Sequence, residues 1–358
     1  MNDSSGARRR AASVVRPAIR ELSAYQAPPA GDGIKLDAME NPYELPPALK
    51  SGWLEVMREA ALNRYPDPSG AQLKERLRRV FDLPAGSSIL LGNGSDEIIQ
   101  MIQLALGGPV LAPVPTFVMY EMTARFVNLE FAGVPLDREF ALDADAMLAA
   151  VERHQPAVVF IAYPNNPTGN LFDEDAIRRV IGAAPGLVVI DEAYHAFAGR
   201  TLMPYVEAYP NVLIMRTLSK LGLAGLRLGF AAADPAWIDE LEKVRMPYNI
   251  NVLTQASAVF ALDHIDVFNE QAARIRAERG RVAAGLAAKG YRCFPSDANF
   301  ILFRCREKDA GDVFRTLLDD GVVIKNLDGA HPALAGCLRV TIGTPDENDR
   351  FLEALPGS

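Results

Sequence analysis

Between Ser88 and Ala232, short apolar runs rich in valine and isoleucine alternate with segments of helical spacing. The runs are Ser88–Leu91, Pro109–Ala112, Ala157–Tyr163, Leu187–Ile190, Val212–Met215 and Leu228–Ala232. Between them lie helical patterns such as Asp96–Leu106, Asp143–His154 and Asp173–Ala183. A strand wetted on one face alternates apolar with polar residues, whereas a strand covered on both faces is apolar throughout. Uninterrupted runs separated by helices therefore predict β-α-β units: an α/β chain whose mostly parallel sheet is sandwiched by helices. After Asn251 the texture changes to a long helical stretch from Leu253 to Lys289, the run Asn299–Arg304, a helix near Ala310–Asp319 and a strand at Leu338–Ile342. That order predicts a second, smaller α+β domain. Residues 1–50 are expected to form an N-terminal arm and part of the small domain, 51–255 the large domain and 256–358 the rest of the small one.

The remaining composition narrows the function classes. A chain of 358 residues suffices for about two domains and a large core without disulfides. Its longest apolar run, Ala157–Tyr163, is far shorter than the ~20 residues needed to span a bilayer. No membrane span is expected. With 45 acidic against 37 basic residues the net charge is -8, which disfavours nucleic acid as a partner through simple repulsion. Cys293, Cys305 and Cys337 are widely spaced and form no C-x-x-C pair, so a reducing, cytoplasmic setting is expected. His154, His195, His264 and His331 show no metal-ligand spacing, and no metal site is expected. The Arg-rich start, with Arg8, Arg9 and Arg10, lacks the apolar region of a secretory signal and reads as a frayed tail.

Ligands of open α/β sheets bind beyond the carboxyl ends of the strands, so the residues there are the informative ones. Five successive ends carry polar or glycine-rich turns: Gly92-Asn93-Gly94-Ser95-Asp96, Pro115-Thr116-Phe117, Asn165-Asn166-Pro167-Thr168-Gly169, Asp191-Glu192-Ala193-Tyr194 and Thr217-Leu218-Ser219-Lys220. Gly94-Ser95 at a helix start offers free backbone N–H groups to an anion, or is an ordinary capped turn. The third glycine of a dinucleotide fingerprint is missing. Asp191 directly ends an apolar run, so its carboxylate is expected to be buried and to need a cation or donors. Lys220 sits among apolar and glycine residues, where desolvation would lower its pKa and suit it to Schiff-base chemistry. Each of these residues alone has a structural explanation. Together they match the needs of pyridoxal phosphate: a lysine, an acid for the ring nitrogen and a phosphate cradle.

Asn166-Pro167-Thr168-Gly169, Asp191-Glu192-Ala193-Tyr194 and Ser219-Lys220 followed by Gly225-Leu226-Arg227 resemble the signatures of the fold-type-I aminotransferases, in the expected order over roughly residues 20–355. The resemblance extends to Leu22-Ser23-Ala24-Tyr25-Gln26, Glu40-Asn41-Pro42-Tyr43, Asn63-Arg64-Tyr65-Pro66, Lys325-Asn326 and Gly336–Gly343. It implies pyridoxal 5'-phosphate as cofactor, a large sheet domain with a smaller α+β domain, and a cytoplasmic homodimer. By the same resemblance Lys220 carries the cofactor, Asp191 meets its ring nitrogen, and Tyr194 and Asn166 meet its phenolic oxygen. Gly94, Ser95, Thr217, Ser219 and Arg227 would hold the phosphate, and Phe117 would stack on the ring where relatives often have Tyr. Tyr65 would reach the partner's phosphate site; Tyr25, Asn166, Lys325 and Arg339 would bind substrate. Arg227 follows Lys220 by seven residues where many relatives have eight, and Lys325 stands where many have Arg. The implied activity is transamination of L-histidinol phosphate with 2-oxoglutarate in histidine biosynthesis, with ping-pong kinetics. Aromatic amino acids as donors, threonine-phosphate decarboxylation and a catalytically retired regulator are the alternatives.

Overall fold

The computed structural model of the chain describes residues 4–22, 24 and 33–357. Its strands are β1 (Ile34–Lys35), β2 (Ser88–Gly92), β3 (Val110–Val114), β4 (Phe131–Pro135), β5 (Val158–Ala162), β6 (Leu187–Asp191), β7 (Val212–Thr217), β8 (Gly229–Ala233), β9 (Arg292–Cys293), β10 (Phe300–Arg304), β11 (Val322–Val323), β12 (Lys325–Asn326) and β13 (Cys337–Thr341). Seven of them make one sheet in the order β2-β8-β7-β6-β5-β3-β4. Neighbours from β4 through β7 are parallel, while β8 runs antiparallel to both β7 and β2. Hence β2 points the same way as β3–β7, and all five polar turns lie along one edge of the sheet.

The apolar runs are continuous for a physical reason. Val159, Ile161, Val188 and Ile190 pack into the core on one face of the sheet, while Val158, Phe160, Leu187 and Val189 pack into the core on the other. Helices Met119–Val127 and Ser95–Ala105 cover the second face; Ala144–His154 and Glu174–Ala183 cover the first. Asp143 and Asp173 start the last two by accepting the backbone N–H of Ala146 and Ala176. Strand β4 escapes sequence reading because it is an edge strand, with Val134 its one buried residue. Strand β8 reverses direction because residues 218–228 hold only short turns, too little for a parallel crossover.

The small sheet is antiparallel, in the order β12-β13-β10-β9, and the pair β1–β11 lies apart from it. The pairing of β1 with β11 ties residues 34–35 to the C-terminal part of the chain. The helical stretch after Asn251 breaks at His264 into Val252–Asp263 and Ile265–Ala288. The first piece packs on helices Pro47–Arg58 and Ala71–Val80, and the second on β9 and β10. An amphipathic pattern does not reveal such a break, because the pattern runs through it. The N-terminal tail is also a correction. It forms helices Ser4–Val14 and Pro17–Arg20, and Arg16 donates to the carbonyl of Phe126. Among the described residues no helix is long and apolar enough to cross a membrane.

Candidate active site

The turns converge on a cleft of about 580 Å³, counting its open mouth, at the carboxyl edge of the large sheet. Ser95, Phe117, Asn166, Asp191 and Tyr194 line it together with Thr217, Ser219, Lys220 and Arg227. Lys220 sits in a tight turn, Ser219–Leu223, and its Nζ donates to the carbonyl of Ala38 at 3.1 Å. Burial, with Arg339 adding to it, pulls the amine down to about 8.

Asp191 ends the adjacent strand and is 4% exposed. Its Oδ2 accepts the hydroxyl of Tyr120 at 2.7 Å and its Oδ1 the N–H of Ala193 at 3.0 Å. Burial pushes its pKa up to about 6, although both hydrogen bonds oppose the shift. Tyr194 is buried in the same wall; its hydroxyl faces the sulfur of Met39 at 3.6 Å, and burial raises its pKa. Asn166 accepts Arg339 Nη1 on its Oδ1 at 2.6 Å, and Arg339 Nη2 donates to the carbonyl of Asp37 at 3.1 Å. Arg339 also lies over the ring of Phe300 at 5.2 Å.

Opposite these groups is an anion cradle. Gly94 has φ +84, and a Cβ there would stand 2.7 Å from Arg227 Nη2, so only glycine lets the guanidinium close on the turn. A Cβ on Gly229 would meet the backbone N of Ser95 at 2.7 Å, which is how the helix start approaches β8 so closely. The hydroxyls of Thr217 and Ser219 lie 2.9 Å apart beside it. Arg227 reaches the cradle despite the short interval after Lys220. The chain passes through the 3-10 turn Ala224–Leu226 to a left-handed Arg227 (φ 49), and Arg227 Nη2 pairs with Asp96 Oδ2 at 3.3 Å.

Two expected residues do not line the cleft, and a third is outside the described residues. Tyr65 is 81% exposed and stacks on Tyr248 with ring centroids 4.5 Å apart. Lys325 is exposed, yet its position in β12 is directly opposite Arg339 in β13. Tyr25 lies outside the described residues. Sequence reasoning missed Tyr120 and the backbone of residues 37–39. The rule that a buried carboxylate needs donors points to a partner for Asp191 without naming it. Asp37 and Ala38 take part through their backbone oxygens, which no side-chain pattern records, while Met39 lines the cleft.

The family description "Aminotransferase class I and II" matches residues 31–355. The chain belongs to that family. This aminotransferase is 54% identical to histidinol-phosphate aminotransferase 2 of Cupriavidus pinatubonensis over 96% of each chain. It is also 54% identical to histidinol-phosphate aminotransferase 2 of Nitrosococcus oceani over 97% of each. Its fold superposes with a TM-score of 0.86 on the crystal structure of histidinol-phosphate aminotransferase from Sinorhizobium meliloti in complex with pyridoxal-5'-phosphate. That match has 27% identity and covers 96% of this chain and 97% of the other.

Proposed function

We propose that the chain transaminates L-histidinol phosphate with 2-oxoglutarate, giving imidazole-acetol phosphate and glutamate, as a step of histidine biosynthesis. The observation that carries this reading is full-length identity of 54% to histidinol-phosphate aminotransferases. The cleft is consistent with it. Pyridoxal phosphate fits the residues present: a desolvated amine, a buried carboxylate and a glycine-lined cradle closed by an arginine share one cleft. Lys220 would carry the cofactor, Asp191 would meet its ring nitrogen, and Asn166 and Tyr194 its phenolic oxygen. Ser95, Thr217, Ser219, Arg227 and the backbone at Gly94 would hold its phosphate, with Phe117 against the ring.

When bound, the cofactor supplies an aldehyde for the substrate's amino group and a ring that accepts the electron pair released at the carbon bearing that group. Asp191, as carboxylate, keeps a proton at the ring nitrogen, which makes that acceptance favourable. Lys220 Nζ, its pKa lowered to about 8, would act as the base that takes the proton from the carbon bearing the substrate's amino group and as the acid that hands it on. Arg339, held by Asn166 and the Asp37 carbonyl, offers its fork to the carboxylate of glutamate and the phosphate of the other donor. Lys325, opposite Arg339 in the ladder, would add a second cation.

The chain is read as a cytoplasmic homodimer. Exposed Tyr65 would complete the partner's phosphate site, and the three free cysteines suit a reducing compartment. Residues 51–255 would form the large domain, with residues 1–50 and 256–358 making the small one; the β1–β11 pair supports this division. Steady-state rates with histidinol phosphate, phenylalanine and threonine phosphate test the function. Histidinol phosphate should have the highest kcat/KM, and a preference for phenylalanine, or carbon dioxide release from threonine phosphate, would overturn it.

A further inference from the structure

Behind the cleft lies a buried ion pair with no part in the chemistry above. Glu192 is fully buried and Arg216 is 4% exposed. Arg216 Nε and Nη2 donate to Glu192 Oε2 at 2.9 and 2.7 Å. Glu192 Oε1 accepts the backbone N–H of Leu202 at 2.5 Å, and the hydroxyl of Thr201 lies 2.9 Å from both carboxylate oxygens. Arg216 Nη2 also donates to that hydroxyl at 2.7 Å, and its guanidinium lies over the ring of Phe81 at 5.4 Å.

Its place in the sheet gives the pair its meaning. Glu192 directly follows Asp191, and Arg216 directly precedes Thr217. Successive strand residues point to opposite faces. Asp191, backed by the buried Tyr120, and Thr217 therefore face the cleft, while Glu192 and Arg216 face Phe81 and Phe230 on the other side. The ladder holds the two strands in register up to Asp191 opposite Met215, and the N–H of Glu192 still donates to the Met215 carbonyl at 2.8 Å. Beyond that point β6 gives way to a turn while β7 runs on through Arg216 and Thr217 against β8, and the ion pair is the side-chain link from that turn back to β7. A general need for stability does not call for an ion pair here, since buried pairs are commonly replaceable by apolar residues without loss of stability. A directional, multiply hydrogen-bonded pair does something an apolar pair cannot: it fixes the spacing of two strand ends.

We infer that Glu192 and Arg216 are positioning residues that set Asp191, on one strand end, against Thr217, Ser219 and Lys220 on the next. The inference rests on the reading that these four residues hold pyridoxal phosphate. Arg216→Lys keeps the charge and loses the fork; Glu192→Gln keeps the shape and loses the ionic partner; Arg216→Met removes both. Each variant is loaded with pyridoxal phosphate, and its melting temperature, the pH midpoint of the bound cofactor's visible absorbance, and kcat per bound cofactor are measured. A mis-set site should lower kcat by about 10- to 100-fold in Arg216→Lys and Glu192→Gln, with KM for the amino donor nearly unchanged. The absorbance midpoint should move as well, because Asp191 no longer meets the ring nitrogen squarely. Arg216→Met should be worse in both respects or fail to fold, and the lysine variant then carries the test. If Arg216→Lys and Glu192→Gln melt earlier but keep the wild-type midpoint and kcat, the pair is structural only and the inference is overturned. A wild type that shows no cofactor absorbance overturns the cofactor reading instead, and with it the basis of this one.

Discussion

Burial disfavours the charged form of both Lys220 and Asp191, and each departure from ordinary behaviour has a measurable consequence. With the amine at about 8, its neutral fraction falls roughly 50-fold between pH 8 and pH 6. Uptake of pyridoxal phosphate by the apoprotein should slow in the same proportion from pH 8 to pH 6, followed by stopped-flow absorbance; a flat profile would remove Lys220 as the acceptor. Lys220→Ala should fold, hold the cofactor only non-covalently and show no turnover, and borohydride reduction of the wild type should label Lys220 in a peptide map. For Asp191 the folded pKa, about 6, lies above the ordinary carboxyl value, so its stability contribution is intact below about 4 and is lost as pH rises through 6. The apoprotein of Asp191→Asn should therefore gain up to about 3 kcal/mol on the wild type between pH 4 and pH 8, read by denaturant melts. Its holoenzyme should lose kcat heavily at near-normal cofactor content. The residue types at these positions were legible in the sequence; their pKa values were not, because burial is set by what packs around them.

At the scale of elements, the polar turns at the strand ends were legible because a continuous apolar run ends abruptly where the chain leaves the core. The small sheet adds what those turns lack. In β13 Arg339 reaches Asn166 in the cleft wall while Leu338 and Val340 face the core behind the small sheet, so one strand carries both a candidate binding group and structural packing. Arg339→Ala should raise KM for both amino donors and strand Asn166 without its cation, at a cost of several kcal/mol in kcat/KM. Lys325→Ala should act more selectively. A phosphate of nearly two negative charges depends more on each cation than a carboxylate does, so single-turnover rates should fall further for histidinol phosphate than for glutamate. Equal losses with both donors would place Lys325 outside the site.

For the whole molecule, the decisive prediction is the partner. Tyr65 is 81% exposed on its own chain, an unusual state for a large aromatic side chain, and it does not line that chain's cleft. The chain should sediment as a dimer. Mixing inactive Lys220→Ala with Tyr65→Ala subunits should restore a fraction of the activity, since one of the two sites in a mixed dimer would then contain both wild-type residues. Failure of a verified mixed dimer to regain activity would place Tyr65 outside the shared site. The alternation of buried runs and helices, the mostly parallel sheet and the identity of the residues at the strand ends follow from the sequence by itself, because hydrophobic period and chain punctuation are local properties. Only the tertiary structure brought Arg339 to Asn166, Tyr120 to Asp191 and the Ala38 carbonyl to Lys220. Those contacts join distant parts of the chain, and which segments become neighbours is decided when the cores close, a long-range outcome that no local pattern records.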